Sequence, residues 1–232
     1  MNFINQITEA FKYTLRDWKI LILLGIVLCL ISSFEEFNTT NFYLEGTLLI
    51  ITILLLFIEE GYRYRIIEST LNGNNKPPIL NGIKELIKEG FEEWVTLTIY
   101  ALIMLILNMI WNLIKPNTTI NAILWMFVLI LIIIFYITFF AAAINKILNG
   151  GKFLSAFNIK EIFGLYSKIG ILKTILIVIL GTINLETIVS CVIQTGVLNA
   201  YMLLDYTVSF FVSPILVLFL TRLIALCAKD AI

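Results

Sequence analysis

Histidine is absent from this 232-residue chain, and aspartate occurs only as Asp17, Asp205 and Asp230. Without imidazole, histidine metal sites and histidine-based general-base or triad catalysis are excluded. Cysteine is scarce too. Cys29, Cys191 and Cys227 lie far apart and form no CxxC pair. Cys29 and Cys227 sit in apolar runs, where a thiol acts as a small hydrophobe. There is no GxGxxG or Walker-type run to cradle a phosphate. Charged residues make up 14% of the chain, well below the roughly 25% of a soluble domain. They cancel to zero net charge, which gives nucleic-acid binding no support. No convergent acid, base and nucleophile are in view, so the expectation is a protein that is not an enzyme and needs no cofactor.

Apolar side chains fill the place of what is missing. They account for 60% of residues without counting glycine, more than a soluble core of this size can bury, so most must face lipid. Six runs are long enough, or nearly so, to cross a bilayer: Ile20–Ile31, Thr47–Ile58, Val95–Ile114, Ala122–Ile144, Ile171–Ile183 and Tyr206–Ile224. At about 20 residues per span they consume roughly half the chain and leave one membrane domain, 1–232. The first run is expected to be retained, because Lys12 is the first basic residue, Glu9 precedes it and no A-x-A site follows. With six spans, all of the sixteen Lys and Arg except Lys115 fall on the side that holds both termini. The positive-inside rule makes that side cytoplasmic and the location the cell membrane. The triplets Asn38-Thr39-Thr40 and Asn117-Thr118-Thr119 fall on the opposite side.

A segment with helical apolar spacing precedes each odd-numbered span. Ile4, Ile7, Phe11, Leu15 and Trp18 form the first stripe, Ile83, Leu86, Ile87, Phe91 and Trp94 the second, and Ile159, Ile162, Phe163, Tyr166 and Ile169 the third. This is the pattern of a helix lying in the membrane interface. Glu9, Glu85 and Glu161 stand 76 residues apart, as do Ile7, Ile83 and Ile159. The fold class expected is therefore all-α and polytopic: six transmembrane helices with three cytoplasmic interfacial amphipathic helices. They form a pseudo-three-fold parallel repeat over about 4–72, 80–149 and 156–227. Leu71-Asn72-Gly73 and Leu148-Asn149-Gly150 should close the second and fourth spans, with glycine as the left-handed cap. Pro77-Pro78 stops the helix from continuing, and Pro214 predicts a kink in the sixth span.

The stretch Gly61-Tyr62-Arg63-Tyr64-Arg65 through Leu71-Asn72-Gly73, followed by Pro77-Pro78 and an amphipathic turn, resembles an archaeal family of multi-pass membrane proteins of unknown function. Ala10-Phe11-Lys12-Tyr13 with Asp17-Trp18, and Ala156-Phe157 with Lys160-Glu161-Ile162, are similar to that family's opening and late segments. The likeness extends more distantly to the membrane domain attached to some glycerophosphodiester phosphodiesterases. It implies a shared architecture and no catalysis.

Two functions remain open. One is a non-catalytic scaffold binding lipid or a partner, with Lys12, Arg16, Lys84, Lys88, Lys160 and Lys168 on anionic cytoplasmic headgroups. The other is a small-solute or ion permease whose polar path uses Glu59, Glu60, Asn108, Asn112 and Glu186. Each candidate has a plainer reading. Glu59 can pair with Arg63 one helical turn on. Asn108 and Asn112 can join helices by hydrogen bonds. Glu186 can lie on the outer surface, beyond the end of the fifth span. Glu9, Glu85 and Glu161 are expected on solvated faces, paired locally with Lys12, Lys88 or Lys160.

Overall fold

The computed structural model describes residues 2–35, 37, 41–114, 138–170, 173–177 and 206–232. The described part is all-helical: α1 (Phe3–Thr14), α2 (Trp18–Glu35), α3 (Phe42–Leu71) and α4 (Ile83–Ile114) come first. They are followed by α5 (Thr138–Leu148), a 3-10 turn (Phe153–Phe157), α6 (Ile159–Ile169), a π turn (Val208–Val212) and α7 (Ser213–Lys229). Among the described residues two helices, Phe42–Leu71 and Val208–Lys229, are long and apolar enough to cross a membrane. A third crossing is counted if α1 and α2, bent by 82° at their junction, act as one. Most of the fourth and fifth expected spans, both sequons and Glu186 lie outside the described residues.

Local chemistry sets the helix ends. Asn41 caps α3 by accepting from the Tyr43 and Leu44 amides at 3.1 and 3.4 Å. Asp17 does the same for α2 through the Lys19 and Ile20 amides. Asn158 opens α6, with Glu161 three residues on, as in a capping box. α3 ends as its LNG tripeptide predicts. The Asn74 amide reaches Ser69 O at 2.9 Å and the Gly73 amide reaches Thr70 O at 3.0 Å, with Gly73 at φ +87°. α5 repeats the arrangement through Gly151 to Lys146 O and Gly150 to Ile147 O. Both are the paired-bond cap that a left-handed glycine allows. Pro214 brings a π turn in place of a simple kink: the Ser213 amide bonds back to Val208 O. Proline offers no N–H to the Phe210 carbonyl, and α2 closes on that carbonyl through Gly25, where a Cβ would sit 2.4 Å away.

The second expected interfacial helix is not a separate element. Residues 83–94 run without interruption into 95–114 as the single helix α4. α3 and α4 form an antiparallel pair, with Phe57 against Phe91 and Trp94, and Gly61 against Leu86 and Gly90. A Cβ on Gly90 would lie 1.8 Å from Phe57 O, so the two backbones touch at this crossing.

Burial is one-sided along the long helices. In α3 every buried residue except Thr52 falls between Glu59 and Thr70, and in α7 most fall from Leu218 to Ala228. The first half of α3 and much of α2 leave large apolar side chains exposed, among them Leu49, Ile50, Leu23 and Ile26. Tight packing is gathered around the C-terminal ends of α3, α5 and α7, with α1 and α6 laid against them. Exposed apolar surface occupies the other end.

Candidate functional site

α1 docks by a mixed face, on which Phe3, Ile7 and Ala10 meet the apolar core beside buried Gln6 and Thr14. Gln6, Ala10, Tyr13 and Thr14 are buried, while Ile4, Phe11 and Leu15 are exposed. Polar contacts then join this face to α7. Gln6 Nε2 donates to Asp230 at 2.8 Å, and its Oε1 accepts from the Cys227 thiol at 3.3 Å. Glu9 does not pair with Lys12 as expected. It takes the Arg222 guanidinium in a fork, Nη2 to Oε1 at 2.7 Å and Nε to Oε2 at 3.2 Å.

Arg222 is 1% exposed, and all five of its N–H donors find acceptors. Nη1 donates to Thr70 Oγ1 and Asn74 O, both at 2.8 Å, and Nη2 also reaches Asn75 Oδ1. The guanidinium lies 4.3 Å from the centre of the Tyr13 ring. Burial raises the pKa of the Tyr13 phenol well above its ordinary value, and Arg222 opposes that rise.

Arg222 is one of four side chains that hold the loop after α3 by its carbonyls. Arg16 donates to Asn75 O, Tyr62 to Pro78 O at 2.9 Å and Arg65 to Asn81 O at 2.6 Å. The loop is thus held at four carbonyls by side chains from three parts of the chain. Beneath it opens a cleft of about 950 Å³ lined by Arg16, Arg65, Lys76, Glu68, Glu85 and Glu89 among others. Arg65 bonds Glu89 at 2.6 Å across α3 and α4.

A second polar centre lies where α3, α4 and α5 meet. Lys146, 2% exposed, bridges Glu92 at 2.7 Å and Glu93 at 2.9 Å, and its ammonium sits 4.7 Å from the Tyr64 ring centre. On the neighbouring turn of α3, Arg63 bridges Glu59 at 2.5 Å and Glu60 at 3.5 Å. The gap between Glu60, Arg63, Tyr64 and Glu93 measures about 10 Å³, scarcely room for one water.

The structure therefore brings Glu59 and Glu60 together, in the ion pair with Arg63 that their spacing suggests. Asn108 and Asn112 stand apart from them, fifteen and nineteen residues beyond Glu93 on α4, roughly 22 Å or more along the helix. Their side chains, like Glu186, lie outside the described residues. Lys12, Arg16, Lys84, Lys88, Lys160 and Lys168 are all exposed. Glu161 does not pair with Lys160. It accepts from Asn145 and Asn149 at 2.9 and 3.0 Å. Sequence reasoning missed Gln6, Glu92, Glu93, Lys146 and Arg222. One signal was available: Lys146 and Arg222 are themselves 76 residues apart, the step that links Glu9, Glu85 and Glu161.

Comparison with curated proteins and with solved structures finds no match. A family model does match, over residues 45–195, which takes in α3, its LNG cap, the pinned loop and the α4 half of the cleft. By that match over more than half its length, the chain belongs to DUF4013, a family of proteins of unknown function.

Proposed function

We propose that this chain is a six-span protein of the cell membrane, with both termini cytoplasmic, that acts as a non-catalytic scaffold gripping anionic headgroups of the inner leaflet. The observation that carries this reading is the surface of α1, the start of α4 and α6. Lys12, Arg16, Lys84, Lys88, Lys160 and Lys168 are all exposed there, beside exposed Phe11, Trp18, Phe91 and Phe163. Aromatic rings favour the headgroup boundary, and each basic residue near an anionic leaflet contributes about 1 kcal/mol. The resemblance to phosphodiesterase-attached membrane domains concerns architecture and adds no chemical step.

Three contacts are in keeping with the parallel repeat over 4–72, 80–149 and 156–227. Glu9 binds Arg222 on α7 and Glu161 binds Asn145 and Asn149 on α5. Among the described residues their counterpart Glu85 pairs with neither Lys88 nor α3, and Glu89 one turn on binds Arg65 of α3 instead. Each acidic segment thus docks on the helix that ends the preceding repeat, and the first docks on the last, closing a ring.

Replacing Lys12, Lys84, Lys88 and Lys160 together by Gln should cut retention of phosphatidylglycerol on the purified protein by at least tenfold, at about 1 kcal/mol per residue. Native mass spectrometry reads this directly, and unchanged retention sinks the headgroup role. The orientation has its own test, with single cysteines placed in a cysteine-free background. Reagent from outside should label positions 39 and 118 and leave 74 and 152 untouched; the reverse pattern overturns it.

The permease reading draws on the buried ion pairs of Lys146 and Arg63 between α3, α4 and α5. The 10 Å³ gap beside them favours the scaffold. Solute or ion flux through vesicles carrying the protein, abolished by E60Q, would reverse that preference.

A further inference from the structure

The cleft under the pinned loop is lined by charges of both signs. Arg65 and Glu89 form a pair, and Arg16 gives one guanidinium nitrogen to a loop carbonyl, leaving further N–H donors. Lys76, Glu68 and Glu85 line the same cleft, are exposed, and make no ion pair or side-chain hydrogen bond among the described residues. Pinning keeps them apart. Lys76 rides on the 74–81 loop, whose carbonyls are fixed on either side of it, while Glu68 and Glu85 ride on α3 and α4, locked where Gly61 meets Gly90. A cation on one wall and two carboxylates on the others suit a ligand that carries both an anionic and a cationic group.

We infer that this cleft binds a phosphate ester bearing a primary amine, with the phosphate on Arg16 and Lys76 and the ammonium on Glu68 and Glu85. A purely anionic ligand fits poorly, because three carboxylates line the space it would enter. A purely cationic one meets Arg16, Arg65 and Lys76. Only a zwitterion satisfies both sets, and a volume of about 950 Å³ accommodates one of headgroup size. Such a ligand comes either as the headgroup of phosphatidylethanolamine in the adjoining leaflet or as a free aminoalkyl phosphate. The inference rests on the headgroup-binding reading above but uses a different lipid class and different residues, apart from Arg16.

The test exploits sign. The full chain, purified in neutral detergent, is offered an equimolar mixture of phosphatidylethanolamine, phosphatidylcholine and phosphatidylglycerol, and retained lipid is counted by native mass spectrometry. K76Q and the double variant E68Q/E85Q break no ion pair or side-chain hydrogen bond among the described residues and should keep the wild-type melting temperature. Each should lower phosphatidylethanolamine retention roughly fivefold, the loss of an exposed ion pair at the upper end of its usual strength. Lower retention in the carboxylate variant is the decisive result, because removing negative charge can only help an anion. Rising phosphatidylglycerol retention in E68Q/E85Q, with phosphatidylethanolamine unchanged, overturns the zwitterion site in favour of an anion site. No effect of either variant on any lipid, together with no calorimetric binding of glycerophosphoethanolamine, overturns the cleft as a site. The tetra-glutamine lysine variant above decides the scaffold separately. Binding of soluble glycerophosphoethanolamine lost in both variants, without lipid retention, supports the site and assigns it the free ligand.

Discussion

Two stretches 76 residues apart begin alike and end differently. Leu15-Arg16-Asp17-Trp18 turns a corner of 82° between α1 and α2, whereas Phe91-Glu92-Glu93-Trp94 passes straight through the middle of α4. The decisive position is Asp17 against Glu93. Asp17 has the short carboxylate that reaches back to the amides two and three residues on, so it starts a new helix. Glu93 is one methylene longer, favours the helix interior, and reaches outward to Lys146 instead. Gly170, at the place of Trp18 in the third stretch, ends α6 at φ +93°. The same point in the pattern is a capped corner, a continuous rod or a glycine break. Which one forms depends on whether a residue at that point can close or open a helix. Amphipathic periodicity alone does not decide it.

The comparison can be broken most severely at Lys146. Lys146→Ala leaves Glu93, 2% exposed, without its cation and should cost about 3–5 kcal/mol in reversible unfolding. The double variant K146M/E93M should recover most of that loss, and failure to recover it would show that Glu93 matters for something other than the pair. Next comes the helix crossing. Thr14 stands 76 residues before Gly90 and is buried, with its hydroxyl on Ala10 O, so the first stretch admits a side chain where the second admits none. Gly90→Thr should therefore separate α3 from α4 and lower stability by about 3 kcal/mol. Thr14→Gly should cost only about 1 kcal/mol, a few tenths from helix propensity and the rest from the small buried side chain removed. Equal losses in the two would mean the positions are not counterparts. The smallest effect is expected at the corner itself. Asp17→Ala removes a cap worth about 1 kcal/mol, and Asp17→Asn should restore it, as read from thermal melts.

Features that depend on neighbours in sequence were legible in it. The LNG caps at Gly73 and Gly150, the Pro214 distortion and the Glu59–Arg63 pair all follow from residues within five positions of one another. The site was not. Glu9 and Arg222 are 213 residues apart, and Glu93 and Lys146 are 53 apart. In a membrane helix a charge on the polar face reads the same whether it meets water or another helix. The expectation that Glu9 would sit on a solvated face beside Lys12 was the misleading part: α1 turns Gln6 and Glu9 toward α7, with Ile7 and Ala10 packed beside them.

The loop pinned at four carbonyls also has a history during synthesis. Tyr62 and Arg65 are made before it, Arg16 earlier still, but Arg222 follows Asn74 by 148 residues. Until that arginine is translated and α7 is inserted, the Asn74 carbonyl, the Thr70 hydroxyl and the Glu9 carboxylate face an empty slot. The last helix thus completes a contact that α1 and α3 leave open, and Arg222→Ala should leave the loop at 73–76 as it stands before α7 is made.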